Sequence, residues 1–219
     1  MIKSFSLGNT HLGLEITGFE CSGPSKRNVL ILGGVHGDEI EGVIASQALI
    51  TNFRSRFDLD LNLFIVPQFN LDGILARTRG NIRGVDLNRN LPTSDWSPEA
   101  KTPRYQPGTG PCSENENKAL VQFIKNKNFD FIYSLHSWKP MLNINGNARA
   151  VAEVIQKHTD YSIEEDIGYP TPGSLGSYGL ENRIPVLTYE IERGLDFKKI
   201  VEIHAPAICE SLKILEVKN

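Results

Sequence analysis

The chain has 219 residues, 40% hydrophobic and 22% charged, which is enough to enclose a sizeable core and fits one globular domain over 1–219. Its formal net charge of -3 lacks the basic excess of a phosphate-driven nucleic-acid binder, and no run approaches the roughly 18 apolar residues of a membrane span. The N-terminal segment has no basic stretch leading into an apolar one, so no membrane partner and a cytoplasmic location are expected.

"NVLILGGV" (28–35) and "LNLFIVPQ" (61–68) are short Val/Ile/Leu-rich runs ending in turn residues, the pattern of buried strands. "EIEGVIASQALITNF" between them has helical spacing, which makes a β-α-β unit. Residues 70–112 are rich in Asn, Arg, Gly and Pro without periodicity, too long for an idle loop in a compact domain and therefore read as a functional excursion. Ser113 and Glu116 are spaced as a capping box opening the helix "SENENKALVQFIKN". "FDFIYSLHSW" (129–138) reads as a strand with a polar tip, "ARAVAEVIQKH" as a helix, "RIPVLTYEIE" (183–192) as a strand and 196–216 as a closing amphipathic helix. Alternating strands and helices predict a three-layer α/β/α domain on a mostly parallel or mixed sheet, which holds ligands outside the carboxyl ends of its strands.

"GGVHGDEIEGV" (33–43) sets His36 and Glu39 just beyond a strand end, where they read as a metal chelate, half of a hydrolytic dyad or a polar loop. Catalytic zinc takes three protein ligands from His and carboxylate and keeps one position open. His36, Glu39 and His136, the last about a hundred residues further on, supply that set, with one Zn2+ per chain as the expected cofactor. Glu190, at a further strand end, is placed to take a proton from an attacking water and pass it to a leaving amine. His11, His158 and His204 read as structural, and Asp38 and Glu41 as turn or surface carboxylates. The three cysteines are odd in number and widely spread, which reads as free thiols, and no motif around Cys112 supports a nucleophile.

"ARTRGNIRGVDLNRNLP" (76–92) carries Arg77, Arg79, Arg83 and Arg89. Guanidinium forks suit carboxylates and developing oxyanions, while a solvated basic loop or a phosphate site is the plainer reading. Neither a Walker A nor a dinucleotide glycine pattern supports the phosphate version.

"HGDE", "NLDG", "RTRGNIRGVDLNRN", "SLHSW" and "TYEIE", in this order over residues 28–192, resemble the zinc carboxypeptidase family with its HxxE...H ligands. The resemblance implies that His36, Glu39 and His136 bind zinc and that Glu190 activates water. It further implies that Arg79 polarises the scissile carbonyl, that Asn88 and Arg89 hold a substrate's terminal carboxylate, and that Asp86 orients His36. The implied partner is a small peptide with a free carboxylate.

"GYPTPGSLGSYG" (168–179) and "GPCSENENKAL" narrow the resemblance to the murein tripeptide amidases of that family. This implies cleavage of the γ-D-glutamyl–meso-diaminopimelate bond during cell-wall turnover. Gly173, Ser174 and Gly176 read as a close-approach substrate loop or a plain Gly-rich turn. Tyr169 and Tyr178 are the candidates for a tyrosine donating to substrate, each with a packing role as the alternative. Leu71 replaces the proline usual in "NPDG", Trp138 stands where a tyrosine is frequent, and Glu192 and Arg193 read as surface residues, Glu192 with a substrate ammonium as its alternative. Two other functions fit parts of the pattern: an N-acyl amino acid deacylase of the succinylglutamate desuccinylase and aspartoacylase type, and a silent wall-peptide binder. Retention of Glu190 and Arg79 beside all three ligands weighs against the binder.

Overall fold

Strand alternation sets the architecture of residues 2–216, which the computed structural model describes. The eight strands are β1 (Ile2–Asn9), β2 (Glu15–Cys21), β3 (Asn28–Gly33), β4 (Asn62–Val66), β5 (Phe131–Trp138), β6 (Met141–Asn145), β7 (Ser162–Glu164) and β8 (Val186–Glu192). They form one sheet in the order β1-β2-β4-β3-β5-β8-β6-β7. The centre, β4-β3-β5-β8, is parallel, while β1-β2, β2-β4 and β8-β6 pair antiparallel, so the sheet is mixed.

Successive side chains of a strand point to opposite faces. Val29, Ile31, Leu63, Ile65, Tyr133, Leu187 and Tyr189 therefore enter one core, with Leu49 of α1 (Ile40–Ser55), Ile155 of α4 (Arg149–Thr159) and Ile208 of α7 (Ala205–Leu212). Leu30, Leu32, Phe64, Val66, Ile132 and Val186 enter the other, against Leu120 and Ile124 of α3 (Asn115–Lys127) and Leu175 of α5 (Leu175–Glu181). This is the predicted α/β/α layering. β3, α1 and β4 form the expected β-α-β unit, because the parallel pairing of β3 with β4 requires a crossover.

Three local expectations change. The long excursion contains a short helix, α2 (Leu71–Ala76), in which the Asn70 side chain accepts from Gly73 N at 3.0 Å, so a proline is not needed to start the turn. The capping box does not form: Ser113 Oγ donates to Glu114 Oε1 at 2.7 Å and accepts from Asn90 at 3.0 Å, and Glu114 takes the cap position. The closing segment is helical but passes from α6 (Phe197–Lys199) through a π-helical turn over Ile200–His204 before α7. Among the described residues no helix is long and apolar enough to cross a membrane.

Candidate active site

His36 and Glu39 occupy the loop between β3 and α1, and His136 lies near the carboxyl end of the adjacent β5. All three are buried. His36 Nδ1 is 3.0 Å from His136 Nδ1 and 3.0 Å from Glu39 Oε2, and His136 Nδ1 is 2.9 Å from the same carboxylate oxygen. The outer nitrogen of each ring is engaged elsewhere. His36 Nε2 meets Asp86 Oδ1 at 3.0 Å, and His136 Nε2 meets Ser134 Oγ at 3.0 Å.

Asp86 is buried, yet His36 and then Arg79 outweigh that burial and hold its carboxyl well below the usual range. An ionised carboxylate only accepts, so a proton of His36 sits on Nε2 against Asp86, and Nδ1, which faces Glu39, is the nitrogen that a cation can take in place of a proton. Two imidazole nitrogens and a carboxylate oxygen thus converge on one point, an arrangement that a cation relieves. The donor set fits zinc, which favours His and carboxylate ligands with one position left open. Glu39 is held far below the ordinary carboxylate range, His36 and His136 outweighing its burial, and is ready to ligate as an anion.

The turn that carries the ligands is braced from below. Asn70 Nδ2 donates to Val35 O and to Arg79 O, both at 3.2 Å, joining the His36 loop to the arginine loop. Gly37 packs against the backbone of Gly73, where a Cβ would come within 2.0 Å of its carbonyl carbon. Only glycine fits there.

Arg79 is fastened by two carboxylates: its Nε donates to Asp86 Oδ2 at 2.9 Å and its Nη1 to Glu39 Oε1 at 3.0 Å. It lines a cleft of about 380 Å³ together with Asn88, Arg89, Tyr169, Ser174 and Glu190. Glu190 is the register partner of His136 on the neighbouring parallel strand, and the two side chains share one face of the sheet. Burial, reinforced by Glu39, raises the Glu190 carboxyl to about 7 against the pull of His136, and its buried Oε2 has no hydrogen-bond partner among the described residues. Asn88 Oδ1 accepts from Leu175 N at 2.8 Å, and its carbonyl accepts from Arg89 Nη1 at 2.6 Å.

The 168–178 loop divides. Tyr169 is exposed at the cleft, edge-on to Trp138 at 6.2 Å, whereas Tyr178 is 2% exposed and packs in the core with Val186, away from the cleft wall. Ser174 caps α5 by accepting from Ser177 N at 3.1 Å and also lines the cleft. Gly173 is not part of the wall; its φ of +72° and its contact with Arg89 O, 2.3 Å from an added Cβ, seat the backbone beneath Arg89.

The family model described as zinc carboxypeptidase matches residues 1–177, which include His36, Glu39 and His136. The chain belongs to this family. It is a zinc metallopeptidase with an intact HxxE...H group, and the family implies a peptide substrate with a free C-terminus. Murein peptide amidase A of Vibrio campbellii is 27% identical over 203 residues, covering 87% of this chain and 80% of that protein. Murein peptide amidase A of Escherichia coli K12 is 29% identical over 199 residues, covering 84% and 78%. The crystal structure of murein-tripeptide amidase from Escherichia coli O157 superposes with a TM-score of 0.83 at 25% identity, covering 99% of this chain and 93% of that one. Carboxypeptidase A of Helicoverpa armigera shares the fold, with a TM-score of 0.81 at 16% identity over 97% of this chain and 67% of that one.

In this zinc carboxypeptidase several site residues lack a sequence signal. The Tyr105 ring lies beneath both cleft arginines, 5.2 Å from the Arg79 guanidinium carbon and 5.6 Å from that of Arg89. Met141, Asn143 and Asn145 of β6 line the far wall, in antiparallel register with Glu190, Thr188 and Val186. Arg193 is not simply a surface residue: its Nη2 is 3.1 Å from Glu39 Oε1 and 3.2 Å from Ser137 O. Glu192 is exposed and lies outside the cleft wall. Glu41 is buried rather than superficial, accepting from Gly194 N at 2.6 Å, and Asp38 pairs with Arg104 at 2.9 Å.

Two of the three histidines read as structural, His158 and His204, are so engaged. His158 pairs with Glu210 at 2.9 Å and His204 with Tyr189 at 2.5 Å. The cysteines are free, and burial raises the thiols of Cys21, Cys112 and Cys209, the opposite of what a nucleophile needs.

Proposed function

We propose that this zinc peptidase is an amidase that hydrolyses the γ-D-glutamyl–meso-diaminopimelate bond of murein tripeptide in cell-wall peptide recycling in the cytoplasm. The observation that carries the reaction is the register pairing of His136 with Glu190, which sets an unpartnered carboxylate beside the converging ligands. The substrate class is supported by the similarity to murein peptide amidases over more than four-fifths of the chain.

Bound by His36, Glu39 and His136, zinc supplies Lewis acidity at the cleft floor. Asp86 keeps His36 in the tautomer that leaves Nδ1 free. Glu190 takes the proton of the attacking water on its free Oε2 and delivers it to the departing amine of diaminopimelate. Arg79, which lines the cleft, donates to the oxygen of the carbonyl under attack and stabilises the negative charge that grows there, its fork held still by Asp86 and Glu39. Arg89, stacked on Tyr105, and Asn88 take the carboxylate next to the cleaved bond. Tyr169 and Ser174 offer hydroxyls along the same wall, and Asn143, Asn145 and Thr188 offer polar groups to the zwitterionic end of diaminopimelate.

The deciding experiment is cleavage of L-alanyl-γ-D-glutamyl-meso-diaminopimelate followed by mass spectrometry, with zinc-loaded and chelator-treated protein. Release of free diaminopimelate by the loaded form alone supports the proposal. No release from zinc-replete protein rejects this substrate and directs the search to N-acyl amino acids and other C-terminal peptides.

A further inference from the structure

A second group of buried carboxylates lies where the β1–β2 turn meets the start of α3. Glu114 and Glu116 are 0% exposed and Asp72 is 1% exposed. His11 enters from the turn, its Nε2 3.0 Å from Glu114 Oε2, and the next residue, Leu12, donates its N–H to Asp72 Oδ2 at 3.2 Å. Ligand atoms of His11, Glu114 and Glu116 all lie within 4.8 Å of one another. None of these residues lines the catalytic cleft.

The surrounding donors leave the group short of positive charge. Asn81 Nδ2 donates to Glu114 Oε2 at 2.9 Å but reaches Glu116 Oε2 only at 3.4 Å. Arg83 stops 4.0 Å from Glu114 Oε1, with nearly half of its side chain exposed to water. Glu116 Oε1 and Asp72 Oδ1 are buried without a hydrogen-bond partner among the described residues. Buried carboxylate oxygens are normally hydrogen-bonded, paired or coordinated, because leaving one bare forfeits its hydration. At Glu114 the hydrogen bonds from Asn81 and Ser113 outweigh burial and keep the carboxyl low, while at Glu116 burial pushes it up.

We infer that His11, Glu114 and Glu116 form a second cation site, taking a divalent first-row ion such as zinc or manganese, with Asp72 adding negative charge from the α2 turn. One imidazole with two carboxylates is a donor set suited to such ions. The unpartnered Glu116 Oε1 is the ligand position that the protein itself leaves unsatisfied. His11, partly exposed at the edge of the group, gives the ion a way in. An ion here ties the β1–β2 turn to α3 and to the Asn81 loop, which leads into Asp86, Asn88 and Arg89, so its effect is on stability.

The test is zinc stoichiometry by competition with a chromophoric chelator, together with thermal midpoints, on wild type and on the variants His11→Ala, Glu116→Gln and His136→Ala. Wild type is expected to hold two zinc ions per chain and each variant one. His11→Ala and Glu116→Gln should keep tripeptide turnover yet lose part of the zinc-induced rise in midpoint. A wild type that holds a single ion, removed by His136→Ala and unaffected by His11→Ala, overturns the inference, as does a second ion that survives both His11→Ala and Glu116→Gln. Glu116→Gln raising the metal-free midpoint while leaving the zinc count unchanged assigns the group to a protonated carboxylate cluster and also overturns it. Because the retained ion of His136→Ala is counted directly, failure of the second site is distinguishable from failure of the amidase assignment.

Discussion

His136 and Glu190 are direct partners across the parallel strands β5 and β8, so a metal ligand and a carboxylate with a free oxygen stand side by side on one face of the sheet. Parallel pairing fixes this neighbourhood without help from any loop. Glu190→Gln preserves shape and removes the base, so zinc content should stay at wild-type level while kcat falls by about 10²–10⁴. Metal analysis beside steady-state kinetics checks both halves. Near-normal turnover would remove Glu190 from the proton-transfer role.

Metal removal should be felt in stability as well as rate. Without a cation, His36 Nδ1, His136 Nδ1 and Glu39 Oε2 face one another at 2.9–3.0 Å. Chelator-treated protein should be inactive and melt lower, and added zinc should restore both, since an ion bound only by the native state stabilises it by mass action. Calorimetry of His136→Ala with and without zinc checks the origin of the shift. A catalytic-site contribution that persists in that variant would contradict the ligand assignment.

The two cleft arginines should separate kinetically. Arg79 is fixed by Asp86 and Glu39 beside the ligands, whereas Arg89 is held by the Asn88 carbonyl and the Tyr105 face. On the proposed mechanism Arg79→Ala depresses kcat and Arg89→Ala raises KM, each by about 10²-fold or more. An amidated substrate should be nearly indifferent to Arg89→Ala. Equal losses on the free and amidated substrates would dismiss the carboxylate clamp.

Tyr105 supports both arginines through its ring, not its hydroxyl. Tyr105→Phe should therefore keep kcat/KM within a few-fold, while Tyr105→Ala should lose roughly tenfold, corresponding to about 1–2 kcal/mol of cation–π and packing support. Comparing the two variants on one substrate checks this. A larger loss in Tyr105→Phe would show that the hydroxyl contacts the substrate instead.

What was legible in the sequence were the features that compact runs encode. The β-α-β unit, β5, β8 and the ligands at their ends came from buried apolar strands followed by polar tips, because a strand covered on both faces reads as a continuous run. The hairpin β1–β2 and the strands β6 and β7 are partly solvated and carry Gly, Ser, Asn and Glu among their apolar residues, so their pattern is diluted. Asn143 and Asn145 entered the cleft through β6 and were invisible for the same reason. Tyr105 and Arg193 act through tertiary contacts with residues far away in the chain, and no local spacing announces them. Tyr178 and Gly173 lie within a recognisable motif, but α5 carries the Tyr178 ring into the core cluster of Val186 and Gly173 lays its backbone against Arg89 O, outcomes that tertiary packing sets.

His204 makes the fold sensitive to acid at a point far in sequence from the ligands. It is 2% exposed, and burial lowers its pKa from 6.5 to about 4. Tyr189, whose phenol is driven well above its ordinary range mainly by burial, keeps its proton and donates it to His204 Nδ1 at 2.5 Å. The folded state therefore holds a neutral ring where the unfolded chain, with its ordinary value near 6.5, takes up a proton. Above about pH 6.5 neither state binds that proton and the contribution is intact; as pH falls from 6.5 to 4 the unfolded state gains it alone, and stability falls. The full loss is about 3 kcal/mol, from roughly 2.5 pKa units at 1.36 kcal/mol each, and it levels off below about pH 4. His204→Gln cannot titrate, so its stability should vary less over this window than that of wild type, even though the lost Tyr189 contact makes it less stable at pH 7. Denaturant unfolding of metal-free wild type and His204→Gln at pH 7, 6, 5 and 4 isolates the effect, because the acid response of the ligand histidines is common to both proteins. Parallel curves would mean that His204 titrates alike in the folded and unfolded chain; converging curves toward pH 4 are the expected result.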